Sequence, residues 1–529
     1  MKRTNSSSIG IQRAGLLLFL VGLAIFLVSP GLGGHKITTD TYRALSDSDA
    51  IRESQRETLF AELAGIQDRH YGSVFAFQRD LNQKILDANK RLDGGNQIWD
   101  YDRGQYRFRI AREAATGILP GNVWAFFLAS IVLGSLGAVV YFLAGIGGQP
   151  PGIRNNGVYF SSARSRGAIG IAIGLFLIGF YIALYFFPEY IANWIRLADP
   201  VSQALRGRPA DQWFFYGLLY TFTILAMGLR MLINYRHSPY HVVRTGSVMF
   251  FQLGFAFLIP AILASLNQPE YDFKNAWPLD YSFFYSYRLD SYTQGGGFGW
   301  FVLLWGLGLM LLVVPLMAYF FGKRWYCSWV CGCGGLAETL GDPFRHLSDK
   351  RLKAWRVERW VVHGVLLFAV AMTAIVLINY FTAKSGEPLL GQATSRFQSW
   401  YGFLIGSIFA GVVGTGFYPF MGNRVWCRFG CPLAAILGLV QKFKSRFRIT
   451  TNGGQCISCG NCSTYCEMGI DVRWYAQRGQ NIIRSSCVGC GICAAVCPRG
   501  VLRLENGPQE KRYNEISLVQ IGNRRIDVA

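Results

Sequence analysis

Eight stretches of about 20 apolar residues constrain the fold of this chain more than any other feature, because each is long enough to cross a bilayer as a helix. The overall composition agrees: 51% of the 529 residues are hydrophobic and only 16% are charged, whereas a soluble domain carries roughly 25%. The sequence therefore predicts a mainly α, polytopic helical membrane protein. The predicted spans are residues 14–30, 123–147, 168–187, 213–233, 248–266, 298–321, 360–381 and 400–421.

Lysine and arginine residues alternate with these spans. They are concentrated before the first span and after the second, fourth, sixth and eighth, in a chain of net charge +21. The positive-inside rule assigns such loops to the cytoplasm, so both termini are predicted to be cytoplasmic and the loop 267–297 to lie on the opposite side. Because the basic residues follow the membrane spans and form no separate patch, a nucleic-acid partner is not expected.

The loops divide the chain into six predicted segments. Residues 1–34 hold the first span, which is predicted to remain as an anchor, although its basic start and short apolar core also fit a cleaved signal peptide. Residues 35–120 contain no cysteine, have mixed charge and are predicted to form an outward-facing helical hairpin. The remaining segments are spans two to five (121–297), two repeated spans (298–450), a cysteine-rich domain (451–505) and a tail (506–529).

The cysteine-rich domain contains the pattern C-x2-C-x2-C-x3-C twice, 31 residues apart. This spacing is typical of [4Fe–4S] clusters, and in two-cluster ferredoxins the fourth cysteine of each run binds the other cluster. Zinc sites would instead show C-x2-C pairs separated by longer spacers. The sequence thus predicts a small α+β domain that binds two clusters, like a bacterial ferredoxin. The predicted ligand sets are Cys456, Cys459, Cys462 and Cys497, and Cys487, Cys490, Cys493 and Cys466.

The two cysteine runs differ at the residue that follows the fourth cysteine. Pro498 follows Cys497, as in the usual ferredoxin pattern, whereas Glu467 follows Cys466. The exchange removes no ligand. It places a carboxylate beside one predicted cluster, where it is expected to alter the local turn or the reduction potential of that cluster.

Two further cysteine pairs stand where the sixth and eighth spans end. The pattern G-x-R-x-[WY]-C-x-[WF]-x-C occurs at residues 322–331 and again at 422–431. If each helix continues through its motif, the two cysteines of a pair lie on one face. Trp300 and Trp400 repeat at the same offset, so the two spans are predicted to be copies of one unit, arranged with pseudo-two-fold symmetry. The paired cysteines are Cys327, Cys331, Cys427 and Cys431.

Three interpretations of these four thiols remain open. They could jointly hold a further iron–sulfur centre or another metal. Each pair could instead cycle between dithiol and disulfide, or the thiols could be buried and inert. Repetition of the flanking residues together with the cysteines argues against the inert interpretation, and joint metal binding is the favoured one. A nearby Cys333 has no counterpart in the second copy.

Three histidines are candidate haem ligands, since histidines at a membrane edge can bind haem iron. His237 and His241 follow the fourth span, and His363 begins the seventh. Pro239 lies between the first two and is expected to interrupt a continuous helix there.

From about residue 298 to 500, the paired C-x3-C motifs followed by two ferredoxin runs resemble the membrane-bound polyferredoxin group of NosR and NapH proteins. The resemblance implies an electron-transfer subunit of the bacterial inner membrane. It would pass single electrons between the quinone pool and cytoplasmic [4Fe–4S] clusters and serve a partner reductase or oxidase, with quinone as a further cofactor. The related CcoG-type proteins imply an alternative, an assembly or metal-reducing factor for a metalloenzyme such as a terminal oxidase.

Overall fold

The computed structural model describes residues 6–48, 51–146, 151–153, 167–384, 391–452, 455–507, 519–521 and 524–526. The predicted basic loop after the second span, and most of the predicted tail, lie outside these residues. The chain forms two compact units, one of residues 1–149 and 179–222 and the other of residues 150–178 and 223–529. The boundary between the units falls within the third and fourth spans.

The described residues contain eight helices that are long and apolar enough to cross a membrane, which confirms the predicted polytopic helical fold. We number them spans 1 to 8. Their bounds are Ser8–Gly31, Val123–Ile146, Ala168–Phe186, Gln212–Asn234, Pro239–Ser265, Gly296–Phe321, Leu352–Ala383 and Ala393–Gly416. The largest departure from the sequence prediction is span 7, which begins eight residues earlier than residue 360 because its first two turns are polar and basic.

Spans 1 and 2 pack closely through glycines in the first unit. A Cβ atom on Gly22 would lie 2.7 Å from the Cα of Gly134, and one on Gly137 would lie 2.4 Å from the backbone nitrogen of Phe19. Small residues let transmembrane helices approach closely enough for their backbones to touch, which stabilises the pair by van der Waals contact.

The segment after span 1 is more elaborate than the predicted helical hairpin. Its helices are Thr39–Asp47, Glu53–Leu63, Val74–Arg91 and Asp100–Glu113, and a two-stranded antiparallel ladder pairs Gly33–His35 with Ala115–Gly117. The helix Val74–Arg91 buries Phe77, Leu81, Ile85 and Ala88, at the spacing of one helix face. The first unit also contains the short helices Ile118–Gly121, Ala192–Arg196 and Asp199–Arg206.

Three spans of the second unit contain π-helical segments, at Phe251–Leu258, Leu309–Val313 and Gly402–Val413. Each widens the helix locally, a feature found most often near functional sites. The shorter helices of this unit are Ser286–Gln294, Arg324–Cys327, Gly332–Thr339, Asp342–Leu347, Tyr418–Met421, Trp426–Gly430 and Pro432–Phe443.

The loop between spans 5 and 6 folds back into the helices of its own unit. The Tyr326 hydroxyl donates a hydrogen bond to the carbonyl oxygen of Lys274 (2.9 Å), and the Trp277 indole donates to the hydroxyl of Thr373, within span 7 (3.0 Å). Ala276 belongs to the same buried cluster as the paired cysteines. Part of this loop therefore packs among the helices of its own unit, and the side of the membrane on which it begins and ends stays a prediction. Irregular backbone is tolerated at membrane depth when protein surrounds it.

The cysteine-rich segment forms two similar halves joined by a strand pair. Arg448–Thr451 pairs antiparallel with Leu502–Glu505, and the short helices are Asn461–Thr464, Val472–Gln477 and Ile492–Ala495. A further antiparallel pair joins Val519–Ile521 to Arg524–Ile526. One buried cluster runs from Val376 in span 7, through the paired cysteines, to Ile449 and Cys493. The ferredoxin-like segment is therefore part of the core of the second unit and is not merely tethered to it.

Candidate functional site

The first predicted cysteine set surrounds one cavity. The cavity is lined by all four members of the set, Cys456, Cys459, Cys462 and Cys497. Gly460, with φ +80°, turns the chain into the short helix that carries Cys462, a conformation that glycine adopts without strain.

The second set surrounds another cavity, which is lined by Cys466, Cys487, Cys490 and Cys493. Gly491, with φ +82°, occupies the position equivalent to Gly460. The fourth cysteine of each run thus faces the other run's cavity, as the crossed assignment requires.

The thiols in these cavities need a cation before they can ionise. Burial raises the pKa of Cys462 to about 11 and that of Cys487 to about 12. Backbone N–H groups point at the sulfurs, as where Ile470 N lies 3.4 Å from Cys466 Sγ. A bound metal centre deprotonates such thiols outright, and hydrogen bonds to the sulfur then tune the potential of an iron–sulfur cluster.

The sulfurs of each set lie too far apart to share a single zinc ion. Four sulfurs around one zinc lie about 3.8 Å apart, because the Zn–S bond is about 2.3 Å. Among the described residues, the only three ligand atoms from cysteine, histidine or acidic side chains within 4.8 Å of one another belong to Glu338, Glu467 and Cys490. Neither cysteine set is that compact.

The paired cysteines do not lie on continuous helices, so the helix geometry predicted for them was wrong. Span 6 ends at Phe321 because Gly322 has φ +69°, and Gly422 breaks the chain in the same way with φ +91°. In each copy a short helical turn carries the first cysteine. The second cysteine, Cys331 or Cys431, then stands immediately before a new helix.

The start of that new helix supplies hydrogen bonds to the second cysteine of each pair. Ala434 N lies 3.4 Å from Cys431 Sγ, and Gly334 N donates to the sulfur of Cys331 in the same way. The Cys331 sulfur also accepts a hydrogen bond from the Cys333 thiol, which is the main reason that its pKa falls to about 6. Burial instead raises the pKa of Cys431.

Five cysteines converge at this place. Cys427, Cys327 and Cys331 lie close enough to Cys431 for their ionised forms to raise its pKa, and Cys331, Cys427 and Cys431 lie equally close to Cys333. All four paired cysteines are buried. The two motifs, a hundred residues apart, therefore form one site.

A buried network of ion pairs connects this site with the second cavity. Arg424 Nη2 lies 2.6 Å from Glu338 Oε1 and 3.1 Å from Glu467 Oε1, while its Nη1 lies 3.7 Å from Cys427 Sγ. Arg345 and Arg244 extend the network, at 2.7 Å from Glu467 and 2.5 Å from Glu338 respectively. Asp342 joins it at 3.2 Å from Arg345 and 2.9 Å from Arg230. The two glutamates near Cys490 are thus held by guanidinium groups, and the compact trio is better explained as ion pairing than as a metal site.

The network keeps Glu467 ionised. Burial alone would raise the pKa of Glu467, but the positive charges of Arg424, Arg345 and Arg244 lower it to about 2. The carboxylate that replaces proline after Cys466 therefore anchors the guanidinium groups of Arg345 and Arg424 between the two sites.

Span 5 positions both sites along one helix. The Tyr240 hydroxyl donates to the carbonyl of Gly489 (2.7 Å), and the Arg244 guanidinium donates to the carbonyl of Cys490. One turn further along the span, the Ser247 hydroxyl donates to the carbonyl of Trp329, between Cys327 and Cys331 (2.9 Å). At 1.5 Å per residue, Tyr240 and Ser247 are about 10 Å apart along the axis.

The three candidate haem ligands do not form one set. Tyr235 packs against both His237 and His241, with ring centroids at 6.4 and 5.1 Å, and His241 Nδ1 lies 2.8 Å from Ser238 Oγ. His363 lines a different cavity, together with Lys323 and Glu358. The break before Pro239 is present, as predicted, since span 4 ends at Asn234.

Sequence reasoning missed Arg244, Glu338 and Lys274, all of which are buried beside the cysteines. One available signal was the presence of a charge within an apolar span, which usually marks a functional position. Arg244 carries that signal because it follows the start of span 5 by five residues.

Comparison with known protein families agrees with this geometry. A family model described as a 4Fe-4S binding domain matches residues 302–353 and 401–450, the two segments that contain the C-x3-C motifs. A second model, described as a 4Fe-4S dicluster domain, matches residues 455–502. The chain is related to the membrane-bound ferredoxin-type electron-transport proteins.

The curated relatives each match about a third of the chain. The YccM protein of Escherichia coli K12 is 26% identical over 180 residues, which are 31% of this chain and 47% of YccM. The methylamine utilization ferredoxin-type protein MauN of Paracoccus denitrificans is 30% identical over 29% of this chain and 52% of its own length. The regulatory protein NosR of Stutzerimonas stutzeri is 24% identical over 32% of this chain and 21% of NosR.

The match thus spans about half, or less, of each of these relatives. No solved structure matches this chain. The comparisons and the eight spans identify a multi-pass, membrane-associated iron–sulfur electron-transport protein.

Proposed function

We propose that this protein passes single electrons between the quinone pool of a bacterial inner membrane and a partner reductase or oxidase. The observation that carries the proposal is the arrangement of three cysteine sites within one unit. In the proposal, each ferredoxin set holds one [4Fe–4S] cluster, and a third iron–sulfur centre is held by Cys327, Cys331, Cys427 and Cys431.

A [4Fe–4S] cluster supplies a one-electron carrier, and the surrounding residues set how readily it accepts the electron. The guanidinium groups of four arginines face three carboxylates, because Asp342 pairs with Arg345 and with Arg230, so the network carries one excess positive charge. Positive charge nearby favours the reduced, more negative form of a cluster, because net charge is one of the determinants of cluster potential. Burial of the cysteines keeps water away from the same centres.

Iron counting on protein purified without oxygen tests the number of centres. Two clusters require about eight irons per chain, and a third cluster raises the count to about twelve. Electron paramagnetic resonance of the reduced protein then distinguishes cubane clusters from other iron. The expected result is about twelve irons, whereas about eight would limit the proposal to the ferredoxin sets.

Addition of a quinol to the oxidised protein tests whether quinol is the electron donor, and therefore the direction of electron flow. Loss of the visible absorbance of the clusters within the time of mixing is expected if quinol is the donor. No loss with quinol, together with full loss with dithionite, would refute the link to the quinone pool.

The cytoplasmic position of both termini is also part of the proposal, and it rests on the basic loops. A fluorescent protein fused after Ala529 should fold and fluoresce in the cytoplasm. A periplasmic alkaline phosphatase fused at the same place should be inactive. The opposite pair of results would invert the proposed orientation.

One observation favours a second candidate function, the metal-reducing assembly factor. Cys333 adds a fifth thiol to a site where a cluster needs four, and thiolate ligands select Cu(I). Copper analysis after growth with added copper distinguishes the two. An electron-transfer protein should contain iron and no copper. An assembly factor should bind copper, and the amount bound per chain should depend on the number of C-x3-C cysteines present.

A further inference from the structure

The two ferredoxin sets differ in how far the rest of the chain covers them. All four cysteines of the second set are buried or half-buried, whereas Cys459 of the first set is exposed. The equivalent glycines show the same contrast. A Cβ atom on Gly491 would lie 2.8 Å from the ring of Tyr240, in span 5, whereas the nearest described neighbour of one on Gly460 would be Arg473 Nη1, at 4.0 Å. The first set is therefore the one whose edge is open to solvent.

The walls of the first cavity come from the cysteine-rich segment alone, within residues 455–502. The chain beside the second cavity is instead packed against the membrane-edge motifs, since a Cβ atom on Gly489 would lie 2.5 Å from Arg324 Cβ. A carrier outside the protein comes nearest to a redox centre where no other part of the chain covers that centre. Of the two ferredoxin sets, the first is thus the one at which electrons can enter or leave.

The exposed charges of this segment are all positive. Residues 455–505 contain five arginines and three acidic residues. None of the three acidic side chains is exposed: Glu467 is buried in the ion network, and the half-buried Asp471 accepts a hydrogen bond from the Ser463 hydroxyl at 2.6 Å. The surface of the segment therefore presents an unbalanced positive charge. The exposed arginines are Arg473, Arg478, Arg499 and Arg503.

Apolar side chains lie among these arginines. Ile457 is 54% and Trp474 is 44% exposed, and the Arg478 guanidinium lies 3.9 Å from the centroid of the Trp474 ring. The Gln477 amide donates a hydrogen bond to the Ser458 hydroxyl (2.7 Å), which ties the loop beside Ile457 to the neighbouring helix. Protein interfaces are enriched in arginine and aromatic residues around an apolar centre, so this surface has the composition of a docking site.

Building on the proposed function, we propose that a soluble, acidic one-electron carrier protein docks on this surface. The docking face consists of the exposed residues Ile457, Cys459, Arg473 and Arg499, all of which line the first cavity. A carrier whose redox centre is ringed by carboxylates pairs them with the arginines, which steers the two proteins together and fixes their orientation. One electron crosses in each encounter, so that one centre is oxidised and the other reduced by one electron, with no proton transferred and no bond formed.

Charge argues against other occupants of the docking face. A second copy of this chain would present the same arginines, and like charges repel. Residues 508–529 of the chain itself carry four basic and three acidic side chains, so they offer no net negative charge. An anionic lipid headgroup would match the arginines, but there it would block the one exposed edge through which the first set can exchange electrons.

Binding is measured on the full-length, iron-loaded, oxidised protein in neutral detergent, with an oxidised, acidic plant-type [2Fe–2S] ferredoxin as the probe. Microscale thermophoresis gives the Kd while no electron is transferred. The Kd should rise at least tenfold between about 20 and 200 mM salt, because salt screens exposed charges. A basic c-type cytochrome is the control probe and should not bind. Binding of the cytochrome as tightly as the ferredoxin, or no binding of the ferredoxin at low salt, overturns the proposal.

Charge variants locate the binding. R473Q combined with R499Q removes two charges from the docking face and should raise the Kd at least fivefold. R473K combined with R499K keeps the charges and should bind within twofold of the unmodified protein. The matched control, K353Q combined with R356Q, removes two charges from exposed residues at the start of span 7 and should bind normally. An equal loss of affinity in the control and in the glutamine variant of the face would show that only net charge matters, and the proposal would be wrong.

Iron content and elution volume on gel filtration verify that each variant is folded. If the glutamine variant loses iron, I457S takes its place, and it should raise the Kd at least threefold because it removes the apolar centre of the face. I483S is its control, at an exposed isoleucine of the same segment that does not line the first cavity. An unchanged Kd in I457S overturns the proposal.

Hydrogen–deuterium exchange of the protein in nanodiscs tests the lipid alternative. Slower exchange at residues 455–460 when phosphatidylglycerol replaces phosphatidylcholine, without any ferredoxin, would place the face on lipid headgroups and refute the proposal. Slower exchange only on addition of ferredoxin supports the proposal.

The outcomes distinguish the docking face from the function on which it rests. If the variants of the face bind ferredoxin normally while quinol bleaches the clusters, the face is wrong and the proposed function stands. If the glutamine variant loses binding while quinol bleaches no cluster of the unmodified protein, the face is supported and the link to the quinone pool is refuted.

Discussion

The two C-x3-C motifs share a backbone and differ in their surroundings. Both begin at a glycine of positive φ, and both place the second cysteine just before a new helix. Their arginines behave differently: Arg424 is wholly buried between Glu338 and Glu467, whereas Arg324 lies over the rings of Tyr240 and Phe447. The repeated arginine has thus acquired two roles: in the second copy it holds the ion network, and in the first copy it packs on aromatic rings.

The largest difference in stability between variants of the two copies is expected at the two arginines. R424Q leaves Glu338 and Glu467 with one cation fewer in a buried site, and breaking a buried ion pair costs about 3–5 kcal/mol. R324Q loses only cation–π contacts, which contribute about 0.5–2 kcal/mol. Thermal unfolding of the iron-loaded protein in detergent should show a much larger fall for R424Q, together with loss of iron. Equal losses in the two variants would show that the copies have the same role.

The cysteines provide the second test. C331S and C431S should each lower the iron content from about twelve to about eight per chain, because a cluster needs four thiolates. C333S should retain about twelve, since the second copy has Leu433 at the equivalent position. Iron and sulfide analysis measures all three variants. A fall to about eight in C333S would show that the fifth cysteine is a ligand and that the site is asymmetric.

Substitution of the two glycines tests the shared backbone. A Cβ atom on Gly422 would lie 2.3 Å from Ser348 Oγ, and one on Gly322 would lie 2.6 Å from Gln441 Oε1 and 2.8 Å from Phe447 Cβ. Together with the cost of a left-handed conformation, of about 1–2 kcal/mol, each alanine variant should lower stability by about 2–4 kcal/mol. G308A, in open space within span 6, is the control and should unfold at the normal temperature.

The smallest effect is expected where the copies exchange glycine for proline. Gly332 and Pro432 both occupy the first position of a helix, a place where proline is favoured. G332P should therefore stabilise the protein by up to about 1 kcal/mol, and P432G should destabilise it by a similar amount. Unfolding temperatures measured in parallel check both signs. A large loss in G332P would show that the first copy needs the flexibility of glycine.

Much of this architecture could be predicted from sequence, because its signals are local. The length of an apolar run fixes a span, and the spacing of Cys456, Cys459 and Cys462 fixes a loop around one cavity. The hundred-residue repeat also predicted that the two motifs belong together. Each of these features depends on residues that are close in sequence or that repeat at a constant offset.

The remaining features depend on contacts between distant residues. From the sequence alone, Glu467 is only a departure from the usual proline. In the structure it forms ion pairs with Arg345 and Arg424, which are 122 and 43 residues away in the sequence. The inward loop was missed because a charged residue such as Lys274 reads as exterior. The helix breaks at Gly322 and Gly422 were missed because glycine is common in membrane helices and only the backbone angles mark these two as turns.

The pairing of motifs a hundred residues apart has a consequence for biosynthesis. Cys327 leaves the ribosome long before Cys427, and the inward loop that contacts Tyr326 precedes both. The shared thiol site can close only after span 8 has been inserted, and Ser328, whose hydroxyl donates to the carbonyl of Val488, gains that partner later still. Any iron destined for this interior position must arrive in the interval between the insertion of the last helix and the seating of the carboxyl-terminal segment above it.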